Sequence, residues 1–564
     1  MAANRIFVVA LCLCAASAAA PAVPQFLHHN LTLDADGNIV SWLPGPAGAA
    51  FAAFAARSAF WFAHDVPTDP ATGLPIYYTH GQIPFVHWPH TPSRFTSWAV
   101  AGGAALLAYG GGDDALLQAI ALPHSRYMAG SNGSAPSGWA WQGAAFASSD
   151  PGELVYRGAD AAAFEGCGAA CCTPGNACPG DGTNHTEPDK AAFVGLVYAR
   201  LFMLYGDEAQ LASALATADA LVANEVVPAN ATHSPWPFRV HAQSGAPVEA
   251  YSSSVTDALR LFDALAVIAR VAGADKVPRL AEYESTHARV LAWLLAVPMA
   301  TNAWQGIWED VPVWAAPTDD PSCHTALDAA SYLLDAADLR GGPDAALLAA
   351  VRGIVDWVVD VFVFAYARPE EPAVQWGAYA VSEQGCDRNK MAFHTLHYTS
   401  VAARLANATA NSTLRDLVER SVAWSTYVLQ DDNQTLIGPI DQSNWLGVGL
   451  RLPEYTIATV TSVSAWAEPA QDHIMRSSGL VVAATFGASS VAYSTFDPRS
   501  IEQLQLARCA PSAVAAGGAQ LTRVAQGAPC VGAACAAGWW SVDSSGVGVT
   551  IFKSSATSVV VSCA

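Results

Sequence analysis

The densest run of chemically capable side chains lies between Gln375 and Tyr398 and includes Trp376, Tyr379, Glu383, Cys386, Asp387, Lys390, His394, His397 and Tyr398. His394 and His397 stand three residues apart and Lys390 one turn earlier, so on a helix all three share a face. Such a pair suits metal ligation, or acid–base work by one ring with the Tyr398 phenol close by. The structural alternative is two hydrogen-bonded core histidines.

Four further segments combine ionisable groups with aromatics. Glu187-Pro-Asp189-Lys190 opens an apolar run, where Asp189 could equally be a helix cap. Ser-Pro-Trp236-Pro-Phe-Arg239 leads through Gly245 to Glu249 and Tyr251. Its two prolines impose an extended path, which reads as the rim of a cleft with Trp236, Arg239, Glu249 and Tyr251 on display. Trp304 to Pro312 places Trp308 beside Glu309 and Asp310, and a carboxyl against an apolar face can have its pKa raised for general-acid duty. Gly438 to Trp445 adds Asp441 and Trp445. The segment from His64 to His90, rich in His and Tyr, is a further candidate loop.

No nucleophile elbow, phosphate loop, dinucleotide fingerprint or HExxH helix is present, so no cofactor and no metal are expected. CxxxCC at Cys167–Cys172 lacks the paired spacing of zinc sites. A net charge of −21 excludes a general nucleic-acid binder. What remains is aromatics plus carboxylates, which is the chemistry of saccharide handling.

These loops need a scaffold that gathers them, and the periodicity supplies one. Lys190–Tyr205 is apolar all round and reads as an inner helix, whereas Glu208–Asn224 is apolar on one side only and reads as an outer one. Similar pairs follow: Ser253–Val271 with Pro278–Val297, Thr325–Ala337 with Asp344–Phe364, and Lys390–Leu405 with Leu414–Leu429. Ala49–Ala63, Phe95–Tyr109 and a short Asp113–Ala121 precede them, and Leu446–Trp466, interrupted by Pro453, closes the series. Five or six hairpins result. After Pro469 the pattern changes to short β-type runs divided by Gly, Ser and Pro. The expected organisation is a signal peptide over 1–20, a helical domain over 21–468 and an all-β sandwich over 469–564.

The leader has Arg5, an apolar run from Ile6 to Cys14 and a small-residue stretch, the pattern of a secreted protein. No later run is long enough to insert into a membrane. Seven sequons, at Asn30, Asn132, Asn184, Asn230, Asn407, Asn411 and Asn433, fit N-glycosylation on that route. The cysteines beyond the leader are expected to form disulfides.

In this layout the chain resembles the six-hairpin (α/α) toroid enzymes, the glycosidase-like superfamily that also includes polysaccharide lyases. The resemblance spans roughly residues 49–466. It is carried by EPDKAAFVGLVYARLFMLYGD, SPWPFRV and QWGAYAVSEQ followed by KMAFHTLHY. It implies an (α/α)5-6 toroid acting on an oligo- or polysaccharide. In the leading version two carboxylates drawn from Asp189, Glu309, Asp310, Glu383 and Asp441 hydrolyse the bond, with Trp236, Trp308, Trp376 and Trp445 as stacking surfaces. The alternative is a uronate lyase, with His394, His397 or Tyr398 as base and Arg239 or Lys390 neutralising the substrate carboxylate. A non-catalytic secreted glycan-binding protein is the third reading.

Overall fold

The computed structural model describes residues 26–68, 74–75, 91–111, 114–130, 156–157, 183–241, 245–306, 321–338, 342–363, 373–382, 390–440, 446–463, 466, 471–526, 538–543 and 546–564. The expected leader, the Asn132 sequon and most of the His64–His90 loop lie outside these residues. So do Trp308, Glu309, Asp310, Glu383, Asp441 and Trp445, together with every cysteine beyond the leader except Cys323, Cys509 and Cys563.

Among the described residues, besides the single turn Pro298–Thr301, twelve helices carry the architecture: α1 (Ala47–His64), α2 (Thr91–Gly110), α3 (Leu122–Gly130), α4 (Pro188–Tyr205), α5 (Glu208–Ala223), α6 (Thr256–Ala272), α7 (Leu280–Ala296), α8 (Cys323–Asp338), α9 (Ala345–Phe362), α10 (Ala392–Ala408), α11 (Ser412–Thr426) and α12 (Leu452–Ser462). The even-numbered helices touch in chain order, α2 to α4 to α6 to α8 to α10 to α12, and α12 returns to α2. Each odd-numbered helix from α3 to α11 packs behind its predecessor, while α1 packs behind α12. The two ends of the helical region thus meet. Phe51 lies edge-on to Trp466, and Arg57 Nε donates to Asn433 Oδ1 at 2.7 Å.

The two layers follow from sequence. On α4 nearly every side chain from Pro188 to Phe202 is buried, as an apolar-all-round helix requires. Burying each of its large aliphatic side chains stabilises the fold by roughly 1.5–3 kcal/mol. Gly206 ends α4 in the left-handed region at φ 71°, where a Cβ would be strained. The Asp207 carboxylate then accepts from Ala209 N and starts α5. Asp344 and Asn411 cap α9 and α11 in the same way. Small residues let inner helices approach closely: a Cβ on Gly195 would sit 2.8 Å from Leu261 and from Thr217.

Two expected spans change. The short helix after Asp113 continues to Gly130 through a π turn at Leu117–Ala121, and that looser turn accommodates Pro123, which has no N–H to donate. Leu446–Leu450 is a 3-10 turn, and Pro453 falls in the first turn of α12, where a proline costs nothing.

A small antiparallel sheet leads into α4. Its strands are β1 (Tyr156–Arg157), β2 (Thr183–Thr186), β3 (Arg239–His241) and β4 (Pro247–Glu249), in that spatial order. A two-stranded ribbon, β5 (Val374–Gln375) and β6 (Ala378–Tyr379), precedes α10. The C-terminal region is β-rich. One sheet runs β13-β14-β15-β10-β7 (Thr522–Arg523, Gly538–Val542, Gly548–Lys553, Ser500–Gln505, His473–Ser477). The other runs β12-β11-β16-β9-β8 (Ala519–Gln520, Pro511–Ala516, Ser558–Cys563, Ser490–Thr495, Val481–Phe486). Residues of both sheets bury one shared cluster, including Ile551, Trp540, Val491 and Val561. The Cys509–Cys563 disulfide ties the last strand back to the β10–β11 link, and Cys323 is buried.

This region packs against the C-terminal ends of the inner helices. His473 stacks on Tyr109 of α2, Arg270 of α6 pairs with Asp497, and Arg476 pairs with Asp338 of α8 at 2.7 Å. The N-terminal ends of the inner helices, where the long connections enter, form the opposite end.

Candidate active site

A polar cavity of about 120 Å³ lies on the axis of the ring, several times the space one ordered water needs. All six inner helices line it. Ser97 comes from α2, Arg200 from α4, Asp257 and Arg260 from α6, Asp328 from α8, His397 and Arg404 from α10, and Glu454 and Tyr455 from α12, with Arg451 just ahead of α12. Each polar residue is set on an otherwise apolar inward face, so ring closure brings together groups that are far apart in sequence.

Asp328 is the hub. Its Oδ2 lies 3.1 Å from His324 Nε2, and its Oδ1 lies 3.5 Å from His397 Nε2 and 3.8 Å from both Arg260 Nη1 and Arg451 Nη2. Burial alone would raise this carboxyl; the His324 ring and the surrounding arginine and histidine outweigh it and hold Asp328 well below the usual carboxylate range. Arg260 Nη1 also lies 3.3 Å from Asp257 Oδ1, so the two carboxylates flank one guanidinium. Asp257 moves the other way: burial, then the charge of Asp328, pushes its pKa up. The cavity therefore holds one carboxylate kept ionised and one biased toward its acid form.

His397 stacks on Tyr455 with ring centroids 4.4 Å apart. Burial drives its pKa well down, so the ring is neutral. Its Nδ1, Tyr455 Oη and Arg451 Nη1 are buried without a hydrogen-bond partner among the described residues. His324, Asp328 and His397 also present ligand atoms within 4.8 Å of one another, a set that could hold a cation. Two guanidiniums near the same carboxylate compete for its charge and work against a divalent ion there.

Of the described residues singled out by sequence, only His397 lines this cavity. His394 is buried nearby with Nδ1 3.5 Å from Cys323 Sγ, and burial lowers its pKa to about 3. Tyr398 turns toward Tyr379, their ring centroids 6.5 Å apart. Lys390 donates to the Ala380 carbonyl at 2.7 Å, a structural tie. Trp376 packs edge-on against Phe26.

The expected cleft rim is instead core. Trp236 is buried with its indole N–H donating to Leu221 O, and Tyr251 donates to Ala303 O. Bulky aromatics between prolines pack inward because their apolar area is worth more buried than displayed. Arg239 is fully buried between Glu187 (2.7 Å) and Glu249 (3.0 Å), while Lys190 bridges Glu187 (3.1 Å) and Asp189 (3.0 Å).

Among the described residues that network sets three carboxylates, Glu187, Asp189 and Glu249, against two cations, Lys190 and Arg239. Burial pushes Asp189 up to about 6, against the pull of Lys190, and Glu249 up to about 7, against Arg239. The folded chain therefore keeps protons that the unfolded chain has released, so this contribution to stability is full below about pH 4 and falls as pH rises to about 7. Glu249→Gln removes the surplus charge. The variant should lose less melting temperature than the parent across that window, reflecting on the order of 3 kcal/mol. Parallel melting curves for the two proteins would refute this account.

No family model matches the chain, and no curated protein matches it. Similar solved structures include a cellobiose 2-epimerase from Spirochaeta thermophila, 13% identical, covering 72% of this chain and 96% of that one at a TM-score of 0.45. A family 76 glycoside hydrolase (mannosidase) from Bacteroides thetaiotaomicron is 11% identical, with 73% and 98% covered at 0.45. A family 15 glucoamylase from Hypocrea jecorina is 11% identical, with 74% and 73% covered at 0.42. The functional reading below rests on the cavity itself.

Proposed function

We propose that this chain is a carbohydrate-active enzyme that hydrolyses glycosidic bonds inside a six-hairpin (α/α) toroid, with residues 21–468 as toroid and 469–564 as a β-sandwich. The observation that carries the reaction is the Asp257–Asp328 pair, two cavity carboxylates on one guanidinium with pKa values moved in opposite directions. Asp257 as the neutral acid donates a proton to the leaving oxygen. Asp328, ionised, faces the positive charge that develops at the sugar, directly or through water. Secretion, the leader over 1–20 and glycans at the seven sequons belong to the same proposal. Among the described residues no helix is long and apolar enough to cross a membrane.

A second reading has its own observation. The unpartnered Nδ1 of neutral His397, whose Nε2 faces Asp328, is the arrangement of an oriented base, which suits β-elimination from a uronate.

One assay separates the two. The protein is incubated with neutral and uronate-rich polysaccharides while reducing ends and the ultraviolet absorbance of unsaturated uronate are followed together. Reducing ends without the chromophore are expected for hydrolysis; both rising together would transfer the chemistry to His397. Product from neither polymer class would remove both and leave a glycan-binding protein.

A further inference from the structure

The guanidiniums of the cavity are not equally satisfied. Arg260 is held by Asp257 and lies near Asp328. Arg451 Nε donates to Glu454 at 2.6 Å, and Arg404 pairs with Asp335 at 2.7 Å and Asp338 at 2.9 Å. Arg200 lines the same cavity, yet no hydrogen bond or ion pair engages it among the described residues. The carboxylates that act on it at longer range, Glu454 and Asp257, are already tied to Arg451 and Arg260. Arg451, only 5% exposed, likewise keeps its Nη1 without a hydrogen-bond partner among the described residues. A cation left unpaired in a largely buried polar cavity is costly unless an anion completes it.

We propose that Arg200 seats an acidic group of the substrate, so that the cavity selects an anionic saccharide over its neutral counterpart. A planar guanidinium can grip two oxygens of a carboxylate or a sulfate ester, and either source satisfies this geometry. The proposal rests on the reading that the cavity takes a saccharide.

The test is calorimetric titration of the full chain with D-glucuronate, glucose 6-sulfate and glucose, using the parent, Arg200→Gln and Arg200→Lys. Because Arg200 is an uncompensated charge in the ligand-free cavity, Arg200→Gln should melt at or above the parent and Arg200→Lys close to it. Arg279→Gln, on the exposed side of the ring, serves as a charge control. The parent should bind one or both anionic sugars at least about tenfold more tightly than glucose. Arg200→Gln should erase that preference by weakening the anionic sugars most, and Arg200→Lys should restore part of it. The anionic sugar that loses affinity identifies the carboxylate or the sulfate as the source.

Equal affinity of the parent for charged and neutral sugars, or a preference that survives Arg200→Gln, would overturn the proposal and leave the saccharide reading intact. If no sugar binds but inorganic sulfate does so in an Arg200-dependent way, the anion seat stands and the saccharide reading falls. Binding of none of the probes overturns both.

Discussion

Asp328→Asn is expected to lose both stability and turnover. The substitution keeps shape and removes the one charge that lies within ion-pair reach of Arg260 and Arg451 and against the rings of His324 and His397. Breaking a buried charge cluster by removing one partner typically costs about 3–5 kcal/mol; Arg260 and Arg451 keep Asp257 and Glu454, which places the expected loss at the lower end. Urea unfolding near neutral pH would show the midpoint falling by a corresponding amount. Asp335→Asn, two turns further along α8, is the comparison: its carboxylate is 62% exposed and its partner Arg404 keeps Asp338, so it should cost no more than about 1 kcal/mol. Equal midpoints for the two variants would mean that Asp328 is not the hub.

Asp257→Asn should behave differently, with stability near that of the parent and a large kinetic defect. Burial and Asp328 already push this carboxyl toward its neutral form, so a neutral amide in its place costs the fold little. A missing general acid typically lowers turnover by about 10²–10⁴-fold. The loss should be severe on natural or alkyl glycosides, whose leaving oxygen needs a proton. It should be slight on nitrophenyl glycosides, whose phenolate departs unaided. In the parent, activity should decline as pH rises through the elevated pKa of Asp257, and that limb should vanish in the variant. An equal defect on both substrate types would remove Asp257 from the acid role.

The scaffold was more legible in the sequence than the site was. α4 and α5 match the apolar-all-round and one-sided runs within two residues, because burial pattern and caps are local properties. The change to β-type runs after Pro469 likewise matches the first C-terminal strand at His473. The cavity depends on which helices meet, and no local pattern states that. Asp257, Arg260, Asp328 and Arg451 stand in no aromatic loop and were not singled out by sequence. One signal was available: Asp257 with Arg260, and His324 with Asp328, are polar pairs at helical spacing on the inner helices, where a charge has no solvent to face. The aromatic loops misled for the opposite reason, since Trp236 and Tyr251 carry both the area that favours burial and a polar tip that finds a backbone carbonyl inside.

The contact between α1 and α12 has a consequence in time. The Trp42 indole N–H donates to Thr426 O at 2.6 Å, and Leu27 N donates to Pro439 O at 2.9 Å, joining segments synthesised at opposite ends of the helical region. Until α12 has emerged, the buried face of α1, with Phe51, Phe54 and Phe62, lacks the helix it packs against most extensively. Closure is a late, high-contact-order step, slow compared with forming any one hairpin. During that interval the apolar face is an aggregation hazard. A nascent chain stalled before α12 would therefore demand shielding by chaperones, although its individual hairpins were already formed.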